Sequence, residues 1–137
     1  MSRRFLLPTM AAAAILLVAT AFAQQHRPYN QIMKDVGTTF ASLKKNLDSN
    51  SVAAAAADAG KLEGLFTETE AFWAPLDTQD AVKFAKAARE AASAVGTAAK
   101  SNDMKTAQTS YSAIQKNCTN CHFAHREDTG KGFLIRP

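Results

Sequence analysis

Apolar side chains recur at alternating spacings of three and four residues in four separate stretches of the 137-residue chain. Because an α-helix turns once in about 3.6 residues, this spacing places each set along one face of a helix. The four stripes are Tyr29, Met33, Val36, Phe40, Leu43 and Leu47; Val52, Ala55, Ala59, Leu62, Phe66, the polar Thr69, and Trp73; Ala81, Phe84, Ala88, Ala91, Val95 and Ala98; and Met104, Ala107, Tyr111, Ile114, Cys118, Cys121 and His125. No segment alternates apolar and polar residues as a half-buried strand would, so the chain is predicted to be all-helical.

Polar segments at residues 48–51, 74–78 and 101–103 separate the stripes. Each contains Asp, Ser, Thr or Asn side chains that are suited to cap the next helix. Short connections join antiparallel neighbours, so the sequence predicts an all-α, antiparallel up-down-up-down four-helix bundle. The tail at residues 128–137 has no periodicity and is predicted to be irregular.

Small residues dominate the stripes of the second and third helices, where alanine is the commonest member. Alanine lets helices approach closely but supplies little apolar filling, which leaves room inside the bundle for another group. Gly60 and Gly64 lie about one turn apart in the second helix, where a glycine costs roughly 1 kcal/mol relative to alanine. We interpret them as sites where such a group, or a neighbouring helix, comes close.

The first 23 residues have the three parts of a secretory signal. Residues 3–4 are basic, residues 10–22 are predominantly apolar, and Ala21–Ala23 fits the small-x-small cleavage pattern. Cleavage after Ala23 leaves a mature domain at residues 24–137, and the chain is predicted to be exported to the periplasm. The apolar run is shorter than the roughly 20 residues that cross a bilayer, so stable membrane insertion is not expected. Residues 2–6 are similar to a twin-arginine signal but lack one residue of it, so the export route stays open.

The charge of the mature domain argues against nucleic-acid binding. The full chain has 16 basic and 12 acidic residues, and two of the basic ones lie in the signal, so the mature domain carries 14 against 12. Its basic residues are scattered, without the clusters and interleaved aromatic residues typical of nucleic-acid binders.

The pentapeptide Cys118-Thr119-Asn120-Cys121-His122 is the attachment motif of a c-type haem. Residues three apart share a helix face, so both thiols can form thioethers with the two vinyl groups on one edge of a porphyrin. His122 then lies beneath the ring as an axial ligand to iron. The alternative is a local disulfide or a thiol redox motif, but a thioredoxin-like motif follows a strand, and none is predicted.

The second axial position decides between electron transfer and gas binding. His125 lies on the same side of the helix as His122, His26 precedes the first helix, and Met104 lies about five turns away from His122. Met33 remains, on the inward stripe of the first helix, and is predicted to be the distal ligand. The alternative is that Met33 only fills the core, as methionine often does.

At this point the chain resembles the cytochrome c-prime family, the class II c-type cytochromes, and especially its low-spin cytochrome c556-like members. In that family the haem pentapeptide lies near the end of the last helix, as Cys118–His122 does here, whereas class I cytochromes carry it near the N-terminus. The resemblance covers essentially the whole mature chain and implies a four-helix bundle with one covalent haem c. Phe72 and Trp73 resemble the family's aromatic pair after the second helix; the alternative is a hydrophobic lid over the bundle end.

Two shorter motifs match the family in part. Its pentapeptide is commonly followed by x-x-aromatic-Arg; here Arg126 resembles the arginine near the haem and is expected to contact the cofactor, while His125 replaces the aromatic residue. Residues 33–37 match the second half of Arg-x-x-x-Met-Lys-x-x-Gly, which implies Met33 as sixth ligand. Tyr29 stands where that arginine would be and Arg27 lies two residues earlier, so the pairing of an arginine with a haem propionate there stays open.

These observations lead to three hypotheses for the function. The first is a periplasmic electron carrier with His122 and Met33 as iron ligands and other redox proteins as partners. The second is a five-coordinate haem protein that binds NO or CO at an open distal face. The third is a helical interaction protein with a local disulfide. No nucleophile–base or carboxylate pair accompanies the motif, so an enzyme is not expected. Members of the family often form homodimers through their first two helices, so the resemblance implies a homodimer as one assembly.

Overall fold

The computed structural model describes residues 27–137, within which the chain forms four long helices. They are α1 (Tyr29–Asp48), α2 (Val52–Trp73), α3 (Gln79–Lys100) and α4 (Met104–His125). The predicted all-helical class is confirmed in that four helices make up most of the described chain. Each helix covers one of the four apolar stripes. The predicted signal at residues 1–23, and His26, lie outside the described residues.

The connections are short because each contains a residue in the left-handed backbone region, where Asn and Asp are tolerated better than other side chains. These residues are Asn50, Asp77 and Asn102, with φ of 54°, 54° and 59°. The expectation of a capping side chain holds for α4 alone among the four long helices, since the Asp103 carboxylate accepts from the Thr106 N–H at 3.0 Å. Thr78 instead donates to the Leu76 carbonyl, and Ser51 makes no cap.

The core lies between the four helices and consists of the inward stripes. Its fully buried side chains include Leu43, Leu47, Leu62, Trp73, Val95 and Ile114. The helices α2 and α3 approach closely where a Cβ added to Gly96 would lie 3.6 Å from the Cβ of Ala59. Gly60 and Gly64, which we expected to allow a close approach, are exposed, and a Cβ added at either would have no neighbour within 4 Å. That expectation is wrong within the described chain, because the stripe of α2 turns both glycines outward.

The helix α1 packs mainly on α2 and meets α4 at fewer points. One of these points is the stack of Phe40 on Tyr111, with ring centroids 4.3 Å apart and planes within 10°. At the start of α1, Arg27 donates to Asp35 at 2.7 Å and to Glu68 of α2 at 2.9 and 3.0 Å. These contacts hold the segment that precedes α1 against α1 and α2.

The C-terminal tail is not irregular as predicted, because it forms a two-stranded antiparallel hairpin. Strand β1 (Arg126–Asp128) follows α4 directly and pairs with β2 (Phe133–Ile135). The turn uses Gly130 and Gly132 at φ of +73° and +152°, which only glycine adopts without strain. Hydrophobic periodicity could not reveal strands of three residues. Among residues 27–137, no helix combines the length and the apolar character needed to span a membrane.

Candidate functional site

A cavity of about 810 Å³ opens beside the last two turns of α4. It is bounded by α1 on one side, by residues of α2 and α3 at its floor, and by the C-terminal hairpin. Its volume falls within the roughly 300–1,000 Å³ of ligand pockets in proteins. The walls are mainly apolar and include Val36, Phe40, Phe66, Trp73, Phe84, Phe133, Leu134 and Ile135.

All five residues singled out in the sequence line this one cavity: Cys118, Cys121, His122, Met33 and Arg126. The first three come from α4, where the helical spacing turns them toward the same space. Met33 comes from α1 and is half-buried against the core. Since α1 and α4 are distant in sequence, only the packing of the helices brings the thioether into the cavity that holds the motif.

Both cysteines are free, half-buried thiols. Burial raises the pKa of Cys118 to about 11. Burial also raises the pKa of Cys121 to about 11, with smaller contributions from Cys118 and Asp80. At neutral pH both therefore stay protonated, which makes them poor nucleophiles by themselves. The pair thus lacks the low thiol pKa of a thiol redox motif.

His122 is half-buried at the same wall. Burial, and then the positive charge of Arg126, lower the pKa of its imidazole. The neutral ring that this favours carries the free lone pair that a metal ligand needs. Arg126 itself follows α4 in extended backbone, and its guanidinium carbon lies 4.3 Å from the ring centroid of Phe133.

His125 also borders the cavity, but both of its ring nitrogens have partners. Nδ1 lies 2.8 Å from the carbonyl oxygen of Arg136, and Nε2 lies 3.1 Å from Oδ2 of Asp80. Both partners are hydrogen-bond acceptors, and which ring nitrogen donates depends on the tautomer of His125. Met104 lies at the other end of α4 and does not line the cavity.

An aromatic cluster closes the end of the bundle next to the cavity. The Trp73 Nε1–H donates to the Tyr29 hydroxyl at 2.9 Å, and Tyr29 stacks on Phe72 with centroids 4.1 Å apart. Burial raises the pKa of the Tyr29 phenol to about 12. Phe72 and Trp73 belong to the last turn of α2 rather than to a loop after it. Tyr29, which replaces the arginine implied by the resemblance, therefore has a packing role of its own.

The fully charged side chains that line the cavity are all positive. Of the described residues that line it, Lys34 and Arg126 carry full positive charges and none is an Asp or a Glu. Arg27 does not line the cavity, because it is held by Asp35 and Glu68.

Sequence reasoning missed the hairpin wall of Phe133, Leu134 and Ile135, which adds three apolar side chains to the cavity. The only signal was an apolar run within a polar tail. Phe84 was on a predicted stripe, but its place at the cavity depends on how α3 packs.

A scan against protein-family models finds no match to the chain, and a search of curated proteins also finds none. Within residues 27–137, no group of three or more His, Cys, Asp or Glu side chains is arranged to hold a metal ion. That finding concerns ions held by side chains alone, whereas the iron of a porphyrin takes only one or two protein ligands.

Proposed function

We propose that this chain is an exported monohaem c-type cytochrome that transfers electrons, of the cytochrome c-prime class with c556-like ligation. The observation that carries the proposal is that Cys118, Cys121, His122 and Met33 line a single apolar cavity of about 810 Å³. Two thiols, an imidazole and a thioether are the groups that covalent attachment and two-sided ligation of a haem require.

The surroundings of the four residues fit a haem as well. The apolar walls suit the porphyrin, and the positive Lys34 and Arg126, without a lining carboxylate, suit its two propionates. Because Arg27 is already paired with two carboxylates, it is not the cation we propose for a propionate.

When bound, the haem supplies a one-electron couple between ferric and ferrous iron. The protein's part is to hold Cys118 and Cys121 on one helix face, to present His122 as a neutral ring, and to exclude water with apolar walls. Met33 as second ligand would raise the reduction potential. The short connections support an up-down-up-down course of the helices. Export with cleavage after Ala23, a periplasmic location, redox partner proteins and a homodimer complete the proposal.

The first test is whether the protein acquires haem. The full chain is co-expressed with haem-attachment machinery, and the purified protein is examined by intact mass and by absorption under denaturing conditions. We expect a covalent haem adduct in the wild type and none in Cys118→Ala/Cys121→Ala. A colourless wild-type protein with the mass of its amino acids alone would contradict the proposal.

The second test concerns Met33 and separates electron transfer from gas binding. We expect low-spin ferric protein with a methionine-to-iron charge-transfer band, and ferrous protein that takes up carbon monoxide slowly or not at all. Met33→Ala should convert the iron to high spin and speed the uptake, because the distal position opens. Met104→Ala is the matched control and should change neither property. If Met33→Ala keeps the wild-type spectrum, Met33 is not the ligand, and the gas-binding alternative is then favoured.

A further inference from the structure

The C-terminal hairpin stands against the cavity although its side chains are largely exposed. Phe133, Leu134 and Ile135 are 61%, 59% and 41% exposed, and all three still contribute to the cavity wall. The guanidinium of Arg126 over the Phe133 ring adds a contact between the two strands. A run of apolar side chains in this position screens one side of the cavity from solvent.

The hairpin is held in place by hydrogen bonds around His125. The Arg136 N–H donates to the His125 carbonyl at 2.8 Å, and the His125 ring meets the Arg136 carbonyl at 2.8 Å. On its other side the ring meets Oδ2 of Asp80 at 3.1 Å, and Oδ1 of Asp80 accepts from the Ala81 N–H. His125 is only 8% exposed. One buried ring therefore connects the end of α4, the first turn of α3 and the end of β2.

We propose that the hairpin is the wall that closes the haem cavity on the side of Cys121 and His122, and that His125 is the residue that positions it. The effect on the haem rests on the function proposed above. A closed wall keeps water from the iron ligand, and lower solvent exposure disfavours the more highly charged ferric form. Loosening the wall should therefore lower the reduction potential without removing a ligand or a thioether.

The experiment uses the full chain after co-expression with haem-attachment machinery. Asp80→Ala and His125→Leu each remove part of the connection, whereas Asp80→Asn keeps an oxygen that can accept at the same place and His125→Gln keeps an N–H donor for Asp80 but none for the Arg136 carbonyl. Gln79→Ala, at an exposed neighbour of Asp80, is the control. Removal of residues 129–137 takes away the whole outer strand. The readouts are amide hydrogen exchange of Arg136, the reduction potential, and the low-spin absorption spectrum.

In the wild type the Arg136 amide should be protected. Asp80→Ala and His125→Leu should speed its exchange about tenfold, as expected for the loss of one hydrogen bond of ordinary strength. The same variants should lower the potential, the truncated chain most of all, while the spectrum stays low-spin. Asp80→Asn and Gln79→Ala should resemble the wild type, and His125→Gln should lie between the wild type and His125→Leu because it keeps only the contact with Asp80. If His125 only filled space, a replacement that can form a hydrogen bond would not restore the exchange rate and the potential better than one that cannot.

The two proposals fail in different ways. If the haem-loaded truncated chain has the same reduction potential as the wild type, the proposed role of the hairpin is wrong, whereas the proposed electron carrier is unaffected. If the Arg136 amide exchanges without protection in the wild type, the proposed role of the hairpin is also wrong. A protein that never acquires haem overturns the electron carrier, and the hairpin is then judged by exchange of Arg136 alone, which needs no haem. Should His125→Leu fail to fold, the exposed position of Asp80 still allows the comparison of alanine with asparagine.

Discussion

Tyr29 illustrates how one residue changes the environment of the site. At this position the resemblance leads one to expect an arginine, and the structure instead has a phenol that accepts from the indole of Trp73. Trp73 is 1% exposed, so its N–H has no access to water if this partner is lost. The nearest arginine along the chain is Arg27, and the carboxylates of Asp35 and Glu68 hold it outside the cavity.

The Tyr29 hydroxyl can be tested by removing it alone. Tyr29→Phe should lower the free energy of unfolding by about 1–3 kcal/mol, the cost of leaving a buried donor without an acceptor. Urea unfolding monitored by circular dichroism measures this difference. Tyr111→Phe is the control, because Tyr111 contributes mainly its stacked ring. Equal losses in the two variants would mean that the hydroxyl of Tyr29 contributes nothing specific.

At the scale of the elements, the apolar stripes predicted both the helices and the breaks between them. Each stripe ends within a few residues of a helix end, because burial of one face determines where a helix can run. The failures occur where long-range contacts decide. Ser51 and Thr78 have capping chemistry but make no cap. The end of the hairpin is bonded to His125, whose ring also contacts Asp80, and no local pattern encodes these contacts.

The candidate site was predictable to a similar extent. Cys118, Cys121 and His122 are adjacent on one helix, so a local motif was sufficient to find them. Met33 needed a stripe and a guess about packing, and its place in the cavity agrees with both. Lys34 and the apolar residues of β2 were missed, because their proximity to the cavity follows only from the packed structure.

The two exposed glycines of α2 give a prediction for an element. An added Cβ at Gly60 or Gly64 meets nothing within the described chain, so alanine should fit without strain. Gly60→Ala and Gly64→Ala should each stabilise the protein by about 0.5–1 kcal/mol, because alanine loses less backbone entropy in a helix. Thermal unfolding and sedimentation are measured together. Gly130→Ala is the contrasting control and should destabilise, since its φ is +73°. Loss of stability together with a loss of dimers would instead assign the two glycines to a subunit contact.

At the scale of the whole molecule, the proposed haem would join parts that the protein itself holds together weakly. The helix α1 packs mainly on α2 and reaches α4 through few contacts such as the stack of Phe40 on Tyr111, while the cavity occupies the space between Met33 and the motif. In contrast, α2 and α3 pack closely through small residues such as Ala59 and Gly96. A group attached to α4 and ligated from α1 would therefore stabilise this weakly connected pair of helices most.

This asymmetry predicts an uneven loss of stability when the haem cannot attach. Cys118→Ala/Cys121→Ala should keep its helical circular dichroism but unfold at a lower temperature than the loaded wild type, because burial of the attached porphyrin and its ligation by Met33 would occur only in the folded state. Amide exchange should rise most in the first half of α1 and in the hairpin, and least in the buried turns of α2 and α3 around Ala59 and Val95. Met104→Ala, loaded with haem, is the reference for a substitution remote from the cavity. If exchange instead rises to the same extent in all four helices, the haem does not act as a local link between α1 and α4, and the bundle unfolds as one unit.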